Sequence, residues 1–209
     1  LDEERIRENC ENYAAQTAVE TDVLKNTRIF NSTNRGQIEL SCDTWGRKLD
    51  QEAEAAQLLS DLFTGTSETR EPIYSMNTVV DDTFGGSYIE VDLANQHVYC
   101  YLNGSYFYDA PCVSGTNSIP SRRTVTGIFE IYMKERNRIL RGANQEYASF
   151  VDFWMPFYEG YGLHNAPWRG EFGGDIYEYG GSHGCVNLSY EAAQTIWDNY
   201  GIGTPVIVF

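Results

Sequence analysis

Hydrophobic and polar positions change rhythm along the chain. In LDQEAEAAQLLSDLF, residues 49–63, Ala55, Leu58, Leu59 and Leu62 recur at helical spacing, behind Asp50 as N-cap and with Glu52 and Glu54 in the first turn. This predicts an amphipathic helix, ended at Gly65 and barred from resuming by Glu71-Pro72. Upstream, RGQIEL predicts a short strand. From residue 88 the period falls to two. YIEVDL puts Ile89, Val91 and Leu93 on one side, and Val98, Cys100 and Leu102 repeat the alternation. Asn103-Gly104 then supplies a two-residue hairpin turn into SYFYDAPCV. Alternation in VTGIFEIYMK and in the closing TPVIVF predicts further strands, and SYEAAQTIWDNYG reads as a short helix capped by Ser189, with Gly201 beyond its end.

These elements divide the chain into a small α+β segment over residues 1–81 and a mostly β domain over residues 82–209. A length of 209 residues suits one domain or two small ones, and 42% hydrophobic with 22% charged residues is an ordinary globular balance. No apolar run reaches the roughly 18 residues that a membrane span requires. The start at Leu1 lacks the basic and apolar stretches of a leader, which suggests an excised ectodomain with its targeting segment upstream. A formal net charge of -15 argues against nucleic acid and against contact with an anionic membrane, since both need clustered Lys and Arg. Of seven basic residues after Asp81, six (Arg122, Arg123, Lys134, Arg136, Arg138 and Arg141) fall in one stretch, either a solvated face or a guide for acidic substrate.

Cys10, Cys42, Cys100, Cys112 and Cys185 form no CxxC pair, so a structural zinc site is not expected. A lone cysteine is most often a small core residue. Cys185 differs in its company, YGGSHGCVNLSYEAAQ. A thiol attacks a carbonyl as its thiolate and needs a base to take its proton. Of three histidines, His97 lies on the hairpin and reads as structural or surface. His164 closes FYEGYGLH, where a strand gives way to a loop stiffened by Pro167. His183 precedes Gly184, whose missing Cβ admits a substrate, and the N–H groups of Gly184 and Cys185 are the expected oxyanion donors. Ser182 either orients a histidine or bonds within the turn. With the two-residue turn, Cys100 faces Phe107 and Cys112 falls near Asn95, so these thiols cannot pair unless a bulge intervenes. Cys10 and Cys42 are left open to pair.

His164, seventeen residues, then Ser182-His183-Gly184-Cys185-Val186-Asn187 resembles the signature of the L,D-transpeptidase (YkuD) family. GGSYIEVDLANQHVYCYLNG, FWMPF, GLHNAPW, FGGDIY and GTPVIVF extend the likeness from Gly85 to Phe209. One departure is Thr124-Val125-Thr126-Gly127, where the family tends to Thr-Pro-x-Gly. The first segment, through WGRKLDQEAEAAQLL and REPIYS, resembles the end of a peptidoglycan-binding module that precedes this domain in some Gram-positive enzymes. A helix-capped spacer is the competing reading.

The resemblance implies a β-sandwich with short helices and an extracytoplasmic, wall-located or membrane-anchored enzyme of Gram-positive type. It implies that Cys185 attacks the third residue of a donor tetrapeptide stem, expels D-Ala, and passes the acyl group to an acceptor stem as a 3→3 cross-link. His164 would act as base, and His183 would shape the turn. Asn187, Trp154, Trp168 and Tyr177 would orient groups or line the cleft. No metal or organic cofactor is implied, and carbapenem β-lactams would acylate the thiol. An L,D-carboxypeptidase using the same site and a non-catalytic wall-binding protein are the alternatives. An NlpC/P60-type peptidase would place its cysteine before its histidine, the reverse of the order here.

Overall fold

A computed structural model describes residues 3–22, 27–41, 46–67, 69–77, 84–142 and 148–209. In chain order the elements are α1 (Glu3–Thr21), β1 (Thr27–Ser32), β2 (Gly36–Ser41), β3 (Arg47–Leu49), α2 (Gln51–Thr64), β4 (Tyr74–Asn77), β5 (Tyr88–Asp92), β6 (His97–Leu102), β7 (Ser105–Pro111), β8 (Gly127–Glu130), β9 (Glu135–Arg141), β10 (Ala148–Tyr158), β11 (Tyr161–Asn165), α3 (Ile176–Gly180), β12 (Val186–Leu188), α4 (Tyr190–Asn199) and β13 (Pro205–Val208). They form two compact units: residues 1–26 with 45–79, and residues 27–44 with 80–209. The β1–β2 hairpin therefore belongs with the larger unit, whereas the sequence pattern had grouped it with residues 1–81. The chain passes between the units three times.

The smaller unit packs α1 on α2 beside the antiparallel pair β3–β4. Helix α1 buries only small residues, Cys10, Ala14 and Ala18, spaced one turn apart, against Ala55, Leu58 and Leu59 of α2. Asp50 caps α2 by accepting from Ala53 N at 3.0 Å. Leu62 stays 66% exposed, because the core of this unit ends at Leu59. Arg70 grips the buried Glu54 with Nη1 and Nη2, each at 2.9 Å, and Ile73 N donates to the same carboxylate at 2.8 Å. Burial alone would raise the Glu54 carboxyl, but these donors outweigh it and hold it below the usual range.

The larger unit is a sandwich. One sheet has the order β7-β6-β5-β13-β8 and the other β12-β11-β10-β9. Inner-face residues of both, among them Ile89, Val98, Ile131, Phe153, Met155, Leu163 and Val206, share one core with Ala192, Ala193 and Ile196 of α4. Strand β5 is central and buried on both faces. Its outward carboxylates Glu90 and Asp92 lie under the β1–β2 hairpin, where Thr33 N donates to Glu90 Oε2 at 3.0 Å and Phe30 meets the rings of Phe84, Tyr88 and Phe209. Glu90 Oε1 has no hydrogen-bond partner among the described residues, and burial raises its carboxyl above the ordinary range.

The β6–β7 turn has Asn103 and Gly104 at φ 52° and 78°, the left-handed pair that a type I′ hairpin demands. A bulge follows, however: Tyr101 pairs Tyr106 but Cys100 pairs Tyr108, not Phe107. The bulge does not bring Cys100 and Cys112 together. Both are free, fully buried thiols, as Cys10 is a free buried one, and Cys42 lies outside the described residues.

Candidate active site

The site is assembled at one end of the four-stranded sheet. Strand β11 carries His164 and pairs in parallel with β12, so that His164 lies opposite Asn187 just beyond the Ser182–Cys185 turn. The strand beneath brings Trp154 opposite His164. Trp154 and Trp168 flank the imidazole at ring distances of 5.8 and 5.9 Å and leave His164 only 3% exposed.

The cysteine turn is held from several sides. Ser182 Oγ donates to Cys185 O at 2.6 Å and accepts from Gly184 N at 2.9 Å, so this hydroxyl bonds within the turn. Thr124 Oγ1 donates to Gly184 O at 2.8 Å and accepts from Gly115 N at 2.8 Å, while Val113 and Asn187 exchange backbone bonds at 2.9 Å each way. The departure at residues 124–127 therefore keeps the threonine that braces the turn. Gly184 has φ 127°, and a Cβ there would fall 2.1 Å from Cε1 of Tyr161. Any side chain here would have to displace that ring or the turn.

One expectation is corrected here. The Gly184 N–H is spent on Ser182 Oγ and is not an oxyanion donor in this arrangement. The Cys185 N–H makes no hydrogen bond among the described residues.

Cys185 is half-buried and opens onto two cavities. One, of about 220 Å³, is lined by Leu140, Ser149, His164, Trp168, Arg169 and the 181–187 segment including His183 and Asn187. The other, of about 250 Å³, is lined by Arg138, Ile139, Leu140, Arg141, Trp154 and Gly160. The thiol donates to Gly160 O at 3.6 Å, and no hydrogen bond joins it to His164. Loss of solvent pushes the Cys185 thiol up to about 11, against the pull of the Gly162 N–H. Burial likewise lowers His164 to about 4, with Arg169 adding to the effect and the bond to Asn165 O opposing it. The resting pair is neutral thiol and neutral imidazole.

Not every expected residue converges. Tyr177 lies on α3, lines neither cavity, and uses its carbonyl to accept from Asn117 N at 2.9 Å. His97 pairs with Asp109 at 2.6 Å on the other sheet. Within the basic stretch, Lys134 donates to Trp197 O and Tyr200 O at the end of α4, and Arg136 stacks on Phe153. Only Arg138 and Arg141 of that stretch border Cys185. Site residues absent from the sequence reading are Gly162, Leu140, Ser149 and Arg169, and Thr124 was noted there only as part of a departure from the family pattern. The seventh basic residue, standing directly after Trp168, was the one available signal for Arg169.

Residues 86–208 match the family model of the YkuD L,D-transpeptidase catalytic domain. The chain belongs to this family. Among solved structures, a cysteine-to-serine mutant of the Enterococcus faecium L,D-transpeptidase is 32% identical with a TM-score of 0.74, over 100% of this chain and 83% of the other. An avibactam carbamoyl enzyme matches at 32% identity and TM-score 0.74, over 100% of this chain and 81% of its own. The catalytic domain of the E. faecium L,D-transpeptidase acylated by ertapenem is 38% identical, with a TM-score of 0.53, over 59% and 97%. No curated relative matches the chain. The L,D-transpeptidase domain accounts for the larger unit from Gly86 to the end of β13.

Proposed function

We propose that this L,D-transpeptidase acts through a Cys185 thioester and joins peptidoglycan stems by 3→3 cross-links outside the cytoplasm. The observation that carries the reading is the place of Cys185 at the meeting of two cavities, one holding His164 and the other bordered by arginines. A transferase needs a donor and an acceptor to reach the same carbonyl in turn, which two approaches allow.

In the first half-reaction the sulfur bonds to the carbonyl carbon of the donor's third residue while the thiol proton passes to Nε2 of His164. Charge gathers on the carbonyl oxygen, where the Cys185 N–H can meet it. The C–N bond to D-Ala breaks, and the imidazolium returns its proton to the leaving amine. In the second half the acceptor amine attacks the thioester, His164 removes a proton from that amine, and the imidazolium returns it to the sulfur as the C–S bond breaks. Because the resting groups are neutral, proton transfer accompanies attack and no thiolate need be stored. His183, exposed on the cavity wall, shapes the approach. The smaller unit serves as a wall-binding module or spacer.

Incubation with a defined disaccharide-tetrapeptide donor and an amine acceptor, read by mass spectrometry, tests this. Cross-linked dimer with released D-Ala is expected. Tripeptide alone would replace the proposal with an L,D-carboxypeptidase, and no D-Ala release from folded protein would leave a wall-binding protein. A carbapenem should give one adduct per chain, on Cys185.

A further inference from the structure

Arg169 stands at the head of a chain of polar groups in which each link has a single permitted direction. A guanidinium offers donors and no acceptor. Its Nε and Nη2 face the Asn187 amide at 2.8 and 3.3 Å, so the amide atom on that side is the oxygen. The Nδ2 group must then face Nε2 of His164, at 3.1 Å. That nitrogen can only accept, so the imidazole hydrogen sits on Nδ1, which donates to Asn165 O at 2.8 Å. Asn187 is 1% exposed, and Arg169 is fixed from its other side by donating to Gly180 O at 2.8 Å.

Resting on the reading of His164 as base, we infer that Arg169 is a positioning residue: by holding the Asn187 amide with its NH2 group toward Nε2 it denies that nitrogen an acceptor, so that the imidazole rests neutral and sheds the Asn187 bond when it takes the thiol proton. Without Arg169, the Asn187 amide can turn over and present its oxygen to Nε2. Both imidazole nitrogens would then have acceptors, Asn165 O and Asn187 Oδ1, which is the arrangement that holds a histidine protonated and useless as a base. The arginine makes that reversal unfavourable by setting N–H against N–H. Asn165 O requires a hydrogen on Nδ1, but no other group around His164 named here sets the polarity at Nε2. Trp154 of β10 and Trp168 of the following loop contribute rings. Cys185 and His183 line the shared cavity. Asp152 of β10 is engaged with the Asn165 amide at 2.7 Å. The low titration of His164 accords with this arrangement.

The test is the ¹⁵N–¹H spectrum of this chain with labelled imidazole between pH 4 and 8, alongside the pH profile of carbapenem acylation. Wild type should show His164 as the Nδ1–H tautomer over most of that range. In Arg169→Gln, whose side chain can present either polarity, and in Arg169→Met, the His164 midpoint should rise by at least one pH unit, with the acidic limb of acylation moving alongside it. An unchanged midpoint and tautomer in either folded variant overturns the inference. So does an Nε2–H tautomer in wild type, a result that needs no variant to fold. If His164→Gln remains active, the base assignment fails on its own, while the spectra still judge Arg169.

Discussion

Gly184 and Tyr161 are packed face to face: a Cβ on the glycine would meet the tyrosine ring at 2.1 Å, on a backbone already at φ 127°. Gly184→Ala should therefore shift the cysteine turn while sparing the sandwich core. Since displacement of a reacting group by about 1 Å can cost ~100-fold in rate, acylation should fall by about that factor. Stopped-flow acylation with a circular-dichroism check of folding measures it, and wild-type rates would refute the steric account.

The cysteines should separate cleanly. Cys185→Ala should abolish acylation, whereas Cys100→Ala and Cys112→Ala should retain it and lose stability, by about 1–3 kcal/mol for cavities of this size. With the Cys185 thiol pushed up to about 11, its alkylation in the free enzyme should accelerate steadily as pH rises through 9 and 10. A plateau near pH 7 would mean that the thiolate is stored at rest after all.

His164 gives stability a pH dependence of definite sign. Its folded value of about 4 lies below the unfolded value near 6.5, so the unfolded chain binds the proton first. The contribution is intact above pH 6.5 and is lost as pH falls toward 4, in total about 3 kcal/mol. Urea unfolding at pH 7 and 4.5 should show this loss in wild type and a much smaller one in His164→Gln.

Arg138 and Arg141 are where the basic stretch can touch substrate. Neutralising both should raise KM for carboxylate-bearing stems and flatten its dependence on salt, because the attraction is screened. Arg136→Gln should instead lower Tm with little change in KM, since its guanidinium stacks on Phe153. Equal KM effects from the two changes would argue for a diffuse field.

The parts of this molecule that were legible beforehand are those whose determinants lie close together in sequence. Asn103-Gly104 announces its turn, Asp50 and Ser189 announce their helices, and the SHGCVN run announces the thiol. Helix α1 escaped because its buried stripe, Cys10, Ala14 and Ala18, is small and scarcely apolar. Strand β9 was hidden beneath its arginines, which read as a charge run but pair with β10 at the edge of a sheet. The bulge opposite Cys100 and the bond from Gly184 to Ser182 are matters of backbone geometry that residue types do not announce. Arg169 and Asn187 are eighteen positions apart, and their partnership exists only after β11 and β12 have paired.

The three passages of the chain between its units bear on how the protein would respond to proteolysis. The β1–β2 hairpin is contributed from within the first 44 residues, yet it roofs Glu90, Tyr88 and Phe209 of the catalytic sandwich. A single nick in the connection before Phe84 would therefore leave the hairpin seated on its sheet as a non-covalent tether. The sandwich would stay leashed to the smaller unit by about a dozen residues of clasped strand, and shedding it would require unpeeling that roof as well as cutting the chain.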